Sequence, residues 1–111
     1  MGLGDLEQLV LFALVRLGGE AHSAAIAAEI AVRSGREVAP GALYTVLDRL
    51  QDKGFVDGWI GESTPERGGR RRKVYRIEAA GARSLRAWYG GLRDLAAGTG
   101  KVLDRLAEGR G

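Results

Sequence analysis

The sequence predicts a mainly α domain with a two-stranded β-wing, closed by a further C-terminal helix. Three observations carry this. The first half holds three short segments of helical apolar spacing, separated by glycine-containing turns. Two β-prone runs follow, from 55 to 62 and from Lys73 to Ile77, around a stretch rich in glycine, proline and arginine. Beyond residue 79 the apolar residues return to helical spacing.

The first helix is expected from about Asp5 to Leu17. Leu6, Leu9, Val10, Ala13, Leu14 and Leu17 form one stripe. Leu11, Phe12 and Val15 lie opposite, so this helix is apolar on both faces and calls for two burial partners. One is its own domain and the other is expected to be a second subunit. Asp5 and Glu7 in the first turn and Arg16 in the last suit the helix dipole, and Gly18-Gly19 ends it.

Ser23 is the expected N-cap of a second helix from about Ala24 to Arg33. Ile26, Ala27 and Ile30 face a core, and His22 reads as a loop residue without a partner ligand. Pro40 opens a third helix, which runs to about Lys53 and stops at Gly54. Leu43, Val46, Leu47 and Leu50 are its core stripe. Gly41, Thr45, Asp48, Arg49 and Asp52 face outward, with Tyr44 at the border.

Three short helices followed by two strands with a long basic loop describe a winged helix-turn-helix. The wing stretch is Arg67-Gly68-Gly69-Arg70-Arg71-Arg72-Lys73-Val74-Tyr75-Arg76-Ile77. Like charges this dense repel one another and are tolerated when solvated or when a polyanion is the partner. Charge is unevenly spread. Residues 1–66 carry five Lys/Arg against ten Asp/Glu, net −5, and residues 67–111 carry twelve against four, net +8. A localised anion-binding surface is expected from that asymmetry. In the second strand Tyr75 and Ile77 are expected in the core, with Val74 and Arg76 outside.

In the last segment Leu85, Trp88, Leu92, Leu95, Thr99, Val102 and Leu106 share one stripe, flanked by Tyr89, Ala96 and Leu103. A continuous helix of about 28 residues would run about 42 Å. Gly90, Gly91, Gly98 and Gly100 interrupt it, each costing about 1 kcal/mol relative to alanine. Such a helix is unstable without a partner, or it is broken near Gly98; either two copies pair through this stripe, or a short helix packs internally and the tail frays. The stripe keeps its phase past Gly98, which favours a dimerisation helix.

Other chemistries find no support. The chain has no cysteine and one histidine, which excludes disulfides and thiolate ligands and argues against a histidine-based metal site or triad. No paired-carboxylate pattern or phosphate loop occurs, so neither an enzyme nor a cofactor is expected. The apolar run Leu9–Val15 is too short to span a bilayer and no basic region precedes it, so no membrane partner and a cytoplasmic location are expected.

The run Pro40-Gly41-Ala42-Leu43-Tyr44-Thr45-Val46-Leu47-Asp48-Arg49-Leu50, then Lys53-Gly54-Phe55-Val56, then Arg70 to Ile77, then Ala80-Gly81, resembles the PadR family of bacterial transcription regulators. The likeness extends from about Leu6 to Leu106 and fits the small subclass with one C-terminal helix. It implies a homodimer that represses nearby genes and is released by a small phenolic, drug-like or other effector. Two departures stand out. Ala21-His22-Ser23-Ala24 lacks the Tyr-Gly pair that often opens the family's second helix, and Ala39 replaces the serine that often precedes the proline.

Residues 1–78 are therefore expected to form a winged helix-turn-helix DNA-binding domain, and 79–111 a dimerisation helix with a short tail. The start of the third helix would enter the major groove of double-stranded DNA through Pro40, Gly41, Ala42, Tyr44, Thr45 and Arg49. Tyr44 would donate to a phosphate or serve as a border core aromatic. Arg67, Arg70, Arg71, Arg72 and Lys73 would contact phosphates or the minor groove. Leu11, Phe12, Val15, Trp88, Leu92, Leu95, Val102 and Leu106 are the expected homodimer residues, and a pseudo-palindromic operator follows from a dimer. Trp88, Leu92 and Leu95 either line a pocket for a small apolar or aromatic effector or only pack the dimer. The competing reading is a winged-helix module that binds an acidic protein through its basic wing.

Overall fold

The computed structural model describes residues 3–61 and 72–109. Helices α1 (Asp5–Arg16), α2 (Ser23–Ser34) and α3 (Pro40–Asp52) form a tri-helical unit. Strands β1 (Glu20–His22), β2 (Val56–Ile60) and β3 (Lys73–Ile77) lie against it, followed by α4 (Ala79–Ala96) and α5 (Gly100–Ala107). The two-stranded wing expected from sequence is part of a three-stranded antiparallel sheet in the order β1-β3-β2. Glu20 pairs with Arg76, Ala21 with Tyr75 and His22 with Val74. The Ile77 N–H donates to the Gly19 carbonyl at 2.9 Å and extends this seam. β3 thus has a partner along both edges, which fixes the wing base to the helical body.

α1 passes through the centre of the domain, touching α2, α3, α4 and the sheet on different sides. Its two apolar faces are therefore mostly consumed internally. Leu11, expected at a subunit interface, is 0% exposed in the chain's own core beside Val10 and Leu14. That expectation is corrected: Leu11 has no surface to offer a second copy. Phe12 is half-buried and meets Tyr89 of α4 edge to face, with ring centres 5.5 Å apart. Val15 alone of the three is exposed.

One carboxylate lies inside this frame. Glu7 is buried, its Oε1 accepting from the Gly4 N–H at 2.8 Å and its Oε2 from Lys53 Nζ at 2.7 Å. Burial alone would raise its pKa. The Lys53 hydrogen bond, the Gly4 N–H and the charges of Lys53 and Arg49 outweigh burial and hold the carboxyl below its ordinary value. The pair ties the start of α1 to the end of α3.

α2 begins one residue earlier than expected. Ser23 is its first residue, His22 occupies the N-cap, and no side chain caps the end. α3 has Pro40 in its first turn and buries Leu43, Val46, Leu47 and Leu50, as the spacing predicts. Gly54, with φ of 74°, then reverses the chain into β2. Tyr75 is fully buried and Ile77 packs against the core, also as expected.

α4 starts hard against that turn. The Glu78 N–H donates to the Phe55 carbonyl at 2.9 Å, and a Cβ on Gly81 would collide with the same carbonyl. The Ala80-Gly81 pair is thus explained by close backbone approach. Leu85 is buried and Trp88 packs on the core, so Trp88 is substantially spent within its own chain.

Of the two alternatives for the C-terminal segment, the structure has the break near Gly98, and the segment forms two helices. Ala97 is extended (φ −57°, ψ 131°) and Gly98 left-handed (φ 75°), while Thr99 Oγ1 donates to the Ala96 carbonyl at 2.6 Å and closes α4. The stripe does not keep its phase through this turn. Leu92, Leu95, Val102, Leu103 and Leu106 are exposed, Leu95 at 80%. No described helix is long and apolar enough to cross a membrane.

Candidate nucleic-acid interface

The helical spacing of α3 divides its uncovered surface into a centre and two flanks. Gly41, Thr45, Asp48 and Asp52 point straight outward, opposite the buried stripe. Pro40, Tyr44 and Gln51 lie on the flank toward the sheet. Ala42, Arg49 and Lys53 lie on the other flank, toward α1 and Glu7. Pro40, Gly41, Ala42, Tyr44, Thr45 and Arg49 are all exposed.

Thr45 Oγ1 donates to the Gly41 carbonyl at 2.9 Å. Its hydroxyl proton is engaged, so it offers lone pairs and a methyl outward. These are the groups that accept from a base amine or touch a thymine methyl. Tyr44 Oη and Ser23 Oγ are 3.2 Å apart and share one hydrogen bond, which fixes the phenol where α2 begins. Tyr44 is about half exposed, so it is not a core aromatic. Helical spacing puts Arg49 on the flank away from the wing, and its charge adds to those that hold the Glu7 carboxyl below its ordinary value. Asp48 and Asp52 make the C-terminal half of the outward surface negative, a half that phosphates would avoid.

Arg67, Arg70 and Arg71 lie outside the described residues. Arg72 is exposed, and its carbonyl accepts the Gly61 N–H at 2.7 Å, so wing pairing continues one step beyond the strands. Lys73 projects on the same side as Tyr75, toward α3, with Nζ 3.5 Å from Gln51 Oε1. Burial pushes the Tyr75 phenol above its ordinary pKa, and Tyr44 and Asp48 add to it, so this pillar beneath the wing stays neutral. On the opposite side of the sheet Arg76 stacks on Trp59 at 5.1 Å and reaches Asp57 and Glu78, each at 3.8 Å.

The structure therefore brings Tyr44, Thr45 and Lys73 to one side, adds Ser23 and Gln51, and leaves Arg49 on the other flank of α3, while Arg72, in the ladder one residue before Lys73, alternates to the opposite side of the sheet. Ser23 read as a helix cap and Gln51 carried no expectation. The one signal for Gln51 was its spacing, seven residues from Tyr44 on the same flank. No cluster of described residues could hold a metal ion.

This arrangement of three helices, a paired wing and an outward α3 agrees with what is found in other proteins. The transcriptional regulator PadR-like family matches residues 10–87. The chain belongs to the PadR-like family of transcriptional regulators. Like other PadR-like proteins it is a regulator and not an enzyme. A PadR family transcription regulator from hypervirulent Clostridium difficile R20291 superposes with a TM-score of 0.73 at 22% identity, over 90% of this chain and 99% of that one. F93 from STIV, a winged-helix DNA-binding protein, superposes with a TM-score of 0.71 at 18% identity, over 88% of this chain and 98% of that one. A PadR family regulator from Eggerthella lenta DSM 2243 reaches 0.67 at 27% identity, over 89% and 86%. No curated protein matches the sequence. This PadR-like chain shares its fold with these proteins over 88% to 90% of its length.

Proposed function

We propose that this PadR-like regulator is a homodimer that represses transcription by binding a pseudo-palindromic operator, and that a small apolar or aromatic effector releases it. The observation that carries the DNA reading is the shared side of α3 and the wing base. Gly41 and Thr45 offer a close approach to base edges, and Tyr44 and Lys73 flank them with donors suited to phosphate, with Arg72 exposed at the wing edge. The basic stretch from Arg67 to Arg71 directly precedes Arg72 and Lys73 in sequence.

Dimerisation is supported by the C-terminal surface. α5 has eight residues, too few to be stable alone in water, and buries none of them in its own chain. Val15, Leu92, Leu95, Val102 and Leu106 are among the exposed apolar side chains available to a second copy, and Leu103 joins them. Trp88, partly packed on the core, borders exposed Leu92 and Leu95, so an effector pocket lined by these three would be completed only by the partner.

The test is footprinting on the protein's own upstream DNA, with affinity measured against salt. Two protected half-sites about one helical turn apart, or a multiple of it, are expected. The slope of log affinity against log salt should flatten by about 0.9 for each phosphate contact removed, as in Arg70→Ala or Arg72→Ala. Protection of a single half-site at saturation refutes the dimer, and an unchanged slope removes the wing from the mechanism.

A further inference from the structure

Among the described wing residues, Lys73 turns its side chain inward to the cleft between the wing base and α3. Its Nζ lies 3.5 Å from Gln51 Oε1 and 5.4 Å from the centre of the Tyr75 ring. Its own carbonyl faces His22 Nδ1 at 3.4 Å, so the backbone at this point is held from the β1 side as well. Across the ladder from Tyr75 stands Gly58 of β2. A Cβ there would sit 3.1 Å from Gln51 Nε2, 3.1 Å from Lys73 Cε and 3.2 Å from Tyr75 Cδ1. Three side chains therefore converge over one bare α-carbon. A glycine inside a strand weakens it and marks a close approach, and this convergence is the approach that requires it.

We propose that Gln51 is a positioning residue that holds the Lys73 ammonium in this cleft for a DNA phosphate, and that Gly58 is the notch that lets the two side chains meet. This rests on the reading of Lys73 as a phosphate contact. Gln51 and Tyr44 share the sheet-facing flank of α3, so the cleft adjoins the surface offered to DNA. An amide oxygen orients an ammonium without cancelling its charge, whereas a carboxylate at the same place would neutralise the cation the phosphate needs. A free lysine gives up rotamer freedom when it engages a phosphate, and a pre-set one has already lost it. Gln51 thus acts on affinity through the order of Lys73, not through a charge of its own.

The experiment uses the full chain and a fluorescein-labelled mixed-sequence duplex of about 30 base pairs, long enough for two half-sites a helical turn apart. Affinity is measured over a salt series for wild type, Gln51→Ala, Lys73→Ala and the double variant. Lys73→Ala should lower the salt slope by about 0.9 per bound protomer, hence about 1.8 for a dimer on two half-sites. Gln51→Ala should weaken binding by roughly two- to tenfold at an unchanged slope, because the contact survives but must be ordered on binding. In the Lys73→Ala background, Gln51→Ala should do nothing further. Gln51→Met keeps the stem, removes the acceptor and should match Gln51→Ala, so loss of folding in one variant does not decide the matter. Gly58→Ala should weaken binding as Gln51→Ala does. If Lys73→Ala leaves affinity and slope untouched, the phosphate reading fails. If Lys73→Ala behaves as expected but Gln51→Ala and Gln51→Met bind like wild type, or weaken binding equally in both backgrounds, the positioning role is overturned. Wild-type binding by Gly58→Ala overturns the notch.

Discussion

Replacing Lys53 with methionine removes the ammonium that faces buried Glu7 and keeps most of the stem. The ion pair is 2.7 Å long, with the Glu7 side chain 9% and the Lys53 side chain 30% exposed. Breaking a fully buried pair costs about 3–5 kcal/mol, and a hydrogen bond to a charged group is worth about 1.5–3 kcal/mol. Water still reaches Lys53, so the lower range applies and a loss of about 2 kcal/mol is expected, near 8 °C in Tm for a chain of this size. The pH dependence follows from the same site. Glu7 is held below its ordinary 4.5, so its stabilisation is complete above that value and is lost as pH falls through the lowered folded value. The gap between wild type and Lys53→Met should therefore be largest near neutral pH and shrink in acid, as pH falls through the lowered value of the wild-type carboxyl. Urea unfolding at neutral and at acid pH measures both gaps. A variant within about 0.5 kcal/mol of wild type at neutral pH, the usual range for an unremarkable surface change, or a gap that stays constant into acid, refutes the reasoning.

Gly81→Ala should destabilise the domain by about 1–3 kcal/mol, since the new methyl meets the Phe55 carbonyl and α4 must shift; thermal unfolding reads this directly. Leu106→Asp places a charge on the exposed apolar side of α5 and should convert a dimer to monomer in sedimentation while the far-UV spectrum of the tri-helical unit is kept.

Most of the helical frame was legible because its stripes are regular. Leu43, Val46, Leu47 and Leu50 repeat at helical spacing, Pro40 and Gly54 bracket them, and α3 runs from Pro40 to Asp52. The Lys73–Ile77 strand was equally plain, since its alternation separates Tyr75 from Arg76. β1 was not legible, because three residues are too few to show a period and Glu20–His22 pair only once β3 lies beside them. Leu11 was misassigned for a related reason. A helix apolar all round calls for partners on every side, but its sequence does not say whether they come from the same chain. Glu7 read as a dipole partner because its neighbour Lys53 is 46 positions away.

By itself, then, the sequence determined the order of elements, the covered stripe of each helix and the basic strand that follows. These are local properties, set by spacing and by which residues end a helix. Only the tertiary structure decided what stands opposite those stripes: that α1 is enclosed by its own domain, that Glu7 pairs with Lys53, that the C-terminal segment breaks at Ala97-Gly98, and that Lys73 bends back to Gln51 over Gly58. Each depends on residues distant in sequence, or on a backbone angle that several neighbours fix jointly, and no spacing along one segment encodes it.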